Sequence, residues 1–446
     1  MKKTDEKMKV GFVSLGCDKN RVDTERVVSI LSCYEEFEFS PNAEDCDVIF
    51  INTCAFLKAS RDEAEGIIEE MSGYKKRGSL KLLIVMGCLP MLNPEDIIKH
   101  FPMVDKAMVA DEYDKVDKII FELLGRKLPR GKRTCDFRNK TTTGHFAYLK
   151  IADGCSNRCA FCKIPYIRGN YKSEKMDKIV GEAEYLCENG VKEIILVAQD
   201  VTRFGCETNG KENLPMLLKN LSKIKKLSWI RLLYCYPEKM TDELIETIKT
   251  NPKVLHYVDI PLQHISDNVL HAMHRQSTRE SIVKLISKLR KEIPDIAIRS
   301  TFMVGFPGET EEDVNALVKF LKKAKLDNVG FFKYSREEGT PAYSMPNQIE
   351  ESEKDRRLAL VQKTQQSVAT KLNKSRAGKT YKVLVDRFDE ELKCYVGRAY
   401  FSAPDVDFEI YFSSFKHHKI GSFADVKILK YADEVFVGEV EKTTTY

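Results

Sequence analysis

Residues 146–165 read FAYLKIADGCSNRCAFCKIP, an apolar run that leads into three cysteines, Cys155, Cys159 and Cys162, separated by three and then two residues. Such a run ahead of a glycine reads as a buried strand, and the loop behind a parallel strand is where α/β proteins keep their reactive groups. Working outward, further apolar runs follow at EIILVAQD, IRLLYC, YVDIPLQ, AIRSTFMVGF and VGFFKYS, with helix-like stretches such as SEKMDKIVGEAEYLCENG and TRESIVKLISKLRKEI between them. This order of strand and helix units predicts a curved or barrel-like parallel sheet.

The cysteine spacing lets one tight loop offer three thiolates to one face of a cluster, each sulfur free to bind a different iron. Zinc normally fills four tetrahedral positions by combining two close cysteine pairs, and no second pair of that kind occurs in the chain. An iron-sulfur cluster with three protein ligands leaves one iron open to a small molecule. The competing readings are a structural zinc knuckle and ordinary buried thiols.

Upstream, KVGFVSLG, DVIFINT and KLLIVMG alternate with the helix-like DTERVVSILSCY and SRDEAEGIIEEM, which predicts a small α/β domain with a parallel sheet over residues 8–125. Cys17, Cys54 and Cys88 each stand directly behind one of these runs. If the runs are parallel strands, the three thiols emerge at one sheet edge, where open α/β sheets bind ligands. Gly16 and Gly87 precede two of them and leave room for a bulky group. A second three-ligand site is expected there; the alternative is that small apolar residues close each strand. The remaining Cys33, Cys46, Cys135, Cys187, Cys206, Cys235 and Cys394 show no such arrangement and are expected to be core or surface thiols.

A chain of 446 residues is too long for one core. Thirteen cysteines without an export signal argue for metal or redox use rather than a disulfide scaffold. No apolar run approaches the ~20 residues that cross a bilayer, so no membrane partner and a cytoplasmic location are expected. The formal charge of +5 is modest for this length and does not by itself imply nucleic acid. RKLPRGKRTCDFRNK, residues 126–140, reads as a basic linker. The barrel region then covers 141–376, including a charged helix over 351–376. YKVLVDRF, CYVGRAY, FEIYF, SFADVKILKY and EVFVGEVE follow as the strands of a small β-barrel over 377–446. The fold class is thus α/β with a terminal β-barrel.

SLGCDKNRVDTE, INTCAF, MGC, GCSNRCAFCKIPYIRG, VAQDVTRFG, RLLYCYP, DIPLQHISDNVLHAMHR and FMVGFPGET together resemble the radical S-adenosylmethionine methylthiotransferase family across nearly the whole chain. The resemblance implies an amino-terminal methylthiotransferase domain, a radical barrel and a TRAM domain. It also implies two 4Fe-4S clusters, held by Cys17, Cys54 and Cys88 and by Cys155, Cys159 and Cys162, and S-adenosylmethionine on the open iron of the second. Phe161 fills the aromatic position before the last cysteine. Gly305, Pro307 and Gly308 lie where the family places the adenine. Gln199 and Arg299, on or just after expected strands, are candidates for the ribose or the methionine carboxylate. No catalytic residue is assigned. His264, His271 and His274 are expected to be structural or substrate-facing rather than metal ligands.

Family members act on adenosine in transfer RNA or on an aspartate of ribosomal protein S twelve. CDKN, IPYIRGNYKSE, AQDVTRFG, RLLYCYPE and GRAYFSAPDVD look like the second branch, whereas the first more often has CQMN and NVNSYG. From Lys379 onward ten Lys or Arg stand against twelve Asp or Glu, and a domain gripping RNA phosphates would carry a basic stripe. An acidic barrel suits a basic ribosomal protein, with Asp405, Asp407 and Glu409 as candidate contacts. The expected activity is methylthio insertion at the β-carbon of that aspartate, fed by an electron donor such as flavodoxin or ferredoxin. The alternatives are the transfer RNA reaction and a non-catalytic RNA-binding factor whose triads hold structural metal.

Overall fold

The structure is a computed structural model that describes residues 7–129, 138, 140–142, 144–208, 210 and 212–440. Two compact units emerge. One comprises the residues up to Thr141 together with 153–157 and 162–172; the other comprises 142–152, 158–161 and the chain from Ser173 onward.

In the first unit the three expected runs become β1 (Met8–Ser14), β3 (Val48–Thr53) and β4 (Leu82–Gly87), joined by the short β2 (Phe37–Phe39) and β5 (Lys106–Ala107). They form a parallel sheet of order β2-β1-β3-β4-β5. Every residue of β3 and β4 is buried, which is why both read as continuous apolar runs: helices cover both faces of a parallel sheet. Phe50, Ile84 and Met86 pack on one face against Val27, Leu31 and Ile120. Ile49, Ile51 and Val85 pack on the other against Ala64, Ile68 and Met71.

The first helix, Asp18–Leu31, starts five residues ahead of the expected stretch. Its opening turns bury Lys19, Asn20, Asp23, Thr24 and Glu25, so the inward face is polar and apolar periodicity does not register it. The basic linker lies largely outside the described residues, as does Cys135. Arg138 is described and is buried in an ion pair with Glu25 at 2.9 Å. Cys33 is disulfide-bonded rather than a free thiol.

In the second unit, β6 (Phe146–Lys150), β9 (Glu193–Val197), β10 (Trp229–Leu232), β11 (Val254–Gln263), β12 (Ala297–Val304) and β13 (Asn328–Lys333) form a six-stranded parallel sheet in chain order. The two-residue strands β7 (Ala152–Asp153) and β8 (Lys172–Ser173) pair separately. Strands β6 and β13 are the free edges, so the barrel is partial. Helix Glu351–Lys374 leads into β14 (Thr380–Asp389), β15 (Cys394–Arg398), β16 (Ile410–Ser413), β17 (Phe423–Ala432) and β18 (Val435–Val440). These close into a barrel of order β14-β15-β16-β18-β17.

Charged side chains fasten the closed barrel to the parallel sheet. Glu193 accepts from Arg231 Nε at 2.6 Å and from Arg398 Nη1 at 2.7 Å; Asp386 accepts from Arg398 Nε at 2.8 Å and pairs with His145 at 2.6 Å. Among the described residues no helix is long and apolar enough to cross a membrane.

Candidate cluster sites

The first site is built on the carboxyl edge of the amino-terminal sheet. The register aligns Ser14 with Asn52 and Thr53 with Gly87, so Cys17, Cys54 and Cys88 leave the sheet at nearly the same level. Cys17 stands at the N-cap position of helix Asp18–Leu31. Gly87 has a φ of 92°, and a Cβ there would run into Asn52 Oδ1 and the Thr53 backbone. The tight turn brings Cys88 N to 2.8 Å from Thr53 O.

One side chain ties the three loops together. Asn20 Nδ2 donates to Leu15 O at 3.2 Å and to Thr53 O at 2.9 Å, and Asn20 Oδ1 accepts from Cys88 Sγ at 3.7 Å. Asn52 Nδ2 in turn donates to Asn20 O at 2.7 Å and to Thr24 Oγ1 at 2.8 Å. Burial pushes the Cys88 thiol up; Arg168 works against that shift, while Cys17 and Cys54 reinforce it. The mutual influence of the three sulfurs reflects their proximity.

Arg168 comes from the segment just behind the CxxxCxxC motif and belongs to the same unit. Its Nη1 donates to Asp23 Oδ2 at 2.9 Å and to Asp153 Oδ2 at 3.1 Å, and its Nη2 donates to Asn20 Oδ1 at 2.8 Å. Asn20, Asp23 and Arg168 were not singled out from the sequence. The one signal available was an unusually polar opening, CDKNRVDTE, on a helix that had to cover a sheet.

The second triad is divided, with Cys155 and Cys162 in the first unit and Cys159 in the second. Cys155 is buried and the other two are half-buried. Gly154, at φ 70°, passes so close to the Asn170 carbonyl that no Cβ fits, and Cys155 N donates to Gly169 O at 3.1 Å. Around Cys159, Arg275 Nη1 approaches the sulfur at 3.7 Å while Nη2 donates to Pro261 O at 2.8 Å. The Arg275 guanidinium lies over the Tyr236 ring at 4.1 Å.

Phe161 packs edge-on to Phe306, with centroids 6.4 Å apart. Gly305 has φ 74°, and Lys354 fills the space a Cβ would need. Its N–H donates to Glu309, whose carboxyl burial pushes up to about 7 despite Arg357. Gln199 presents a buried Oε1 without a hydrogen-bond partner among the described residues, an acceptor suited to a polar ligand. His264 is fully buried; burial holds it down at about 4, so it is neutral at physiological pH.

Two expectations need correction. Arg299 is turned toward the terminal barrel, where Nη1 donates to Asp407 Oδ1 at 2.6 Å and Nε lies 3.7 Å from Asp259, so its charge is already matched. Asp407 has a wholly buried side chain that also accepts from Tyr257 OH at 2.7 Å and from Ala403 N at 2.8 Å, so it serves the fold instead of a partner. Glu409 pairs with Arg387 at 2.7 Å. Of the three acids, only Asp405 is exposed.

Among the described residues no three His, Cys, Asp or Glu side chains close around one metal-ion position. The donor sets nevertheless fit iron-sulfur clusters. Both triads are soft thiols, and a buried arginine stands beside Cys88 and another beside Cys159.

Comparison with known proteins agrees with this layout. Residues 149–321 match the Radical SAM superfamily, residues 9–109 the Uncharacterized protein family UPF0004, and residues 377–440 the TRAM domain. The chain is 45% identical over 443 residues to the "Ribosomal protein uS12 methylthiotransferase RimO" of Clostridium botulinum (strain Eklund 17B / Type B), covering 98% of each. It is 43% identical to the protein of that name from Acetivibrio thermocellus, covering 97% of this chain and 98% of the relative. The fold is also similar to that of a radical S-adenosylmethionine methyltransferase, TsrM, from Kitasatospora setae with cobalamin and a [4Fe-4S] cluster bound. The TM-score is 0.54 at 16% identity, covering 76% of this chain and 77% of that one. With near-complete coverage by relatives at this identity and all three domain matches in order, the chain belongs to the RimO family of radical S-adenosylmethionine methylthiotransferases.

Proposed function

We propose that this chain inserts a methylthio group at the β-carbon of an aspartate in ribosomal protein S twelve. The observation that carries the reading is the convergence of Cys17, Cys54 and Cys88 at one sheet edge, a second thiol site besides the CxxxCxxC triad. The names of the relatives support the substrate. With the groups bound, the second triad's 4Fe-4S cluster and S-adenosylmethionine supply a radical, and the auxiliary 4Fe-4S cluster supplies a place for sulfur.

The chain's own part is to hold and shield these groups. Cys155, Cys159 and Cys162 would each hold one iron of the 4Fe-4S cluster. Gly154 and Gly305 let backbone approach where a side chain would obstruct. Phe161, packed on Phe306 and next to Cys162 in the chain, would give the cofactor an apolar neighbour, and Gln199 would offer it an acceptor. A low-potential one-electron donor of the flavodoxin or ferredoxin kind supplies the electron.

Iron and sulfide analysis of anaerobically reconstituted protein tests the two-cluster reading. About eight irons per chain are expected, and about four after alanine replacement of either triad. Loss of Cys155, Cys159 and Cys162 should abolish S-adenosylmethionine cleavage, whereas loss of Cys17, Cys54 and Cys88 should spare it and stop methylthio transfer. Mass spectrometry of ribosomal proteins and transfer RNA from a deletion strain identifies the substrate: only the true one loses the mass of CH2S. Zinc alone in the protein would overturn the reading.

A further inference from the structure

We infer that Arg168 is a positioning residue for the auxiliary centre: its guanidinium supplies the positive charge and an N–H donor that set the charge balance and potential of whatever Cys88 helps to hold. The inference rests on the two-cluster reading.

Four observations converge on it. Arg168 contributes a side chain only 1% exposed, and a buried guanidinium is retained only where anions or acceptors justify it. Asp23, Asp153 and Asn20 occupy Nη1 and Nη2, which fixes the plane of the fork. Its Nε, also buried, has no hydrogen-bond partner among the described residues. The same guanidinium and the Cys88 sulfur meet at one acceptor, Asn20 Oδ1, at 2.8 Å from Nη2 and 3.7 Å from Sγ. A buried cation that is locked in place one shared acceptor atom away from a candidate ligand sulfur is an arrangement by which a protein tunes a cluster. Hydrogen bonds to the sulfurs and nearby charge are two of the levers that set cluster potential.

Asn20 makes the placement exact to one residue, because its Oδ1 accepts both from Arg168 Nη2 and from Cys88 Sγ. A lysine at 168 would keep a charge but could not hold Asp23, Asp153 and Asn20 at once in one planar fork. Arg168 lies six residues behind Cys162, in the same unit as Cys17, Cys54 and Cys88.

The test uses the full chain with Cys155, Cys159 and Cys162 replaced by alanine, so that only the auxiliary centre is loaded. Iron and sulfide content and an electron paramagnetic resonance redox titration are measured with Arg168 intact, with Arg168→Gln and with Arg168→Lys. Arg168→Gln should load normally but lower the midpoint potential by at least a tenfold change in the reduction equilibrium, about 59 mV for a one-electron couple. Arg168→Lys should fall between it and the parent. If Arg168→Gln loses the cluster while Arg168→Lys keeps it, the charge is required for retention and the inference stands. Normal loading with an unchanged potential in both variants overturns it. Loss of the cluster in both also overturns it, since a mere packing role would give that result. A parent that takes up no cluster defeats the two-cluster reading itself, and this inference with it.

Discussion

Replacing Glu193 by alanine should loosen the terminal barrel from the parallel sheet, and the structure sets the size of the effect. Glu193 is completely buried, as is Arg231, and the Arg398 side chain is only 3% exposed. Burial alone would hold the carboxyl neutral; the two guanidinia overcome that penalty and keep it below the usual carboxylate range. Glu193→Ala leaves two buried cations against one carboxylate, Asp386. Arg231 retains the Tyr400 carbonyl at 2.7 Å and the Tyr257 ring at 4.6 Å, neither of which carries a compensating charge. Breaking one partner of a buried ion pair costs about 3–5 kcal/mol. Glu193→Gln, which keeps the volume and one acceptor oxygen, should cost about 1.5–3 kcal/mol. The reporter is built in: Trp229 is the single tryptophan of the chain, stands in register with Glu193 and packs 4.9 Å from Phe423 of the terminal barrel. Urea denaturation followed by its fluorescence should show a midpoint lower by about 1–2.5 M for the alanine variant, given an m value of roughly 2–3 kcal/mol/M. A midpoint within about 0.2 M of the parent would refute the reasoning, because the three buried charges would then not be coupled.

Three further outcomes are expected. Gly87→Ala combines a left-handed backbone with a clash against Asn52 and Thr53, costs about 2–4 kcal/mol, and should lower iron from about eight to about four per chain while S-adenosylmethionine cleavage persists. Burial holds His264 at about 4, below its unfolded value of about 6.5; its contribution is therefore present above pH 6.5 and lost as the pH falls toward 4, about 3 kcal/mol in all. In urea titrations His264→Asn should flatten that acid slope. Asp407→Ala should destabilise by about 2–3 kcal/mol because Arg299 and Tyr257 lose their acceptor, while Asp405→Asn, which tolerates the left-handed backbone at φ 65° and keeps an acceptor for Tyr148 OH, should stay within about 0.5 kcal/mol. If binding to ribosomal protein S twelve weakens only in the Asp405 variant, that residue alone keeps the partner role expected of the acidic trio.

How much of this was legible in the sequence follows from which physics shaped each residue. Strands β3 and β4 are buried on both faces and had to be continuous apolar runs, so they were visible. So were β14–β18, where a closed barrel enforces alternation, as in the buried Val426 and Ile428 beside the exposed Asp425 of β17. The six cysteines stood out because each ends a strand or crowds one loop. Polar burial hid the rest. Helix Asp18–Leu31 begins with side chains that face inward to Arg168 and to the cysteine loops, and apolar periodicity has no term for a polar face that is buried. Arg299 and Asp407, 108 residues apart, read as a cofactor-binding cation and a partner-contacting acid because neither could announce the other.

The pattern of what was hidden has a consequence for how the molecule works. A set of charges in this chain is paired inside or at the edge of the core: Glu193, Arg231, Arg398 and Asp386 at the terminal barrel, Arg299 and Asp407 there as well, and Arg168, Asp23 and the half-buried Asp153 at the amino-terminal sheet. An ion pair of this kind contributes little net stability compared with an apolar core, but it accepts few alternative geometries, since each displacement leaves a charge unmatched. Radical chemistry on an unactivated C–H bond depends on holding the reacting groups in one arrangement. The buried pairs within each unit thus provide what a larger apolar core would not: a geometry that is hard to relax without exposing or orphaning a charge, at the positions where the auxiliary cysteines and the terminal barrel are held.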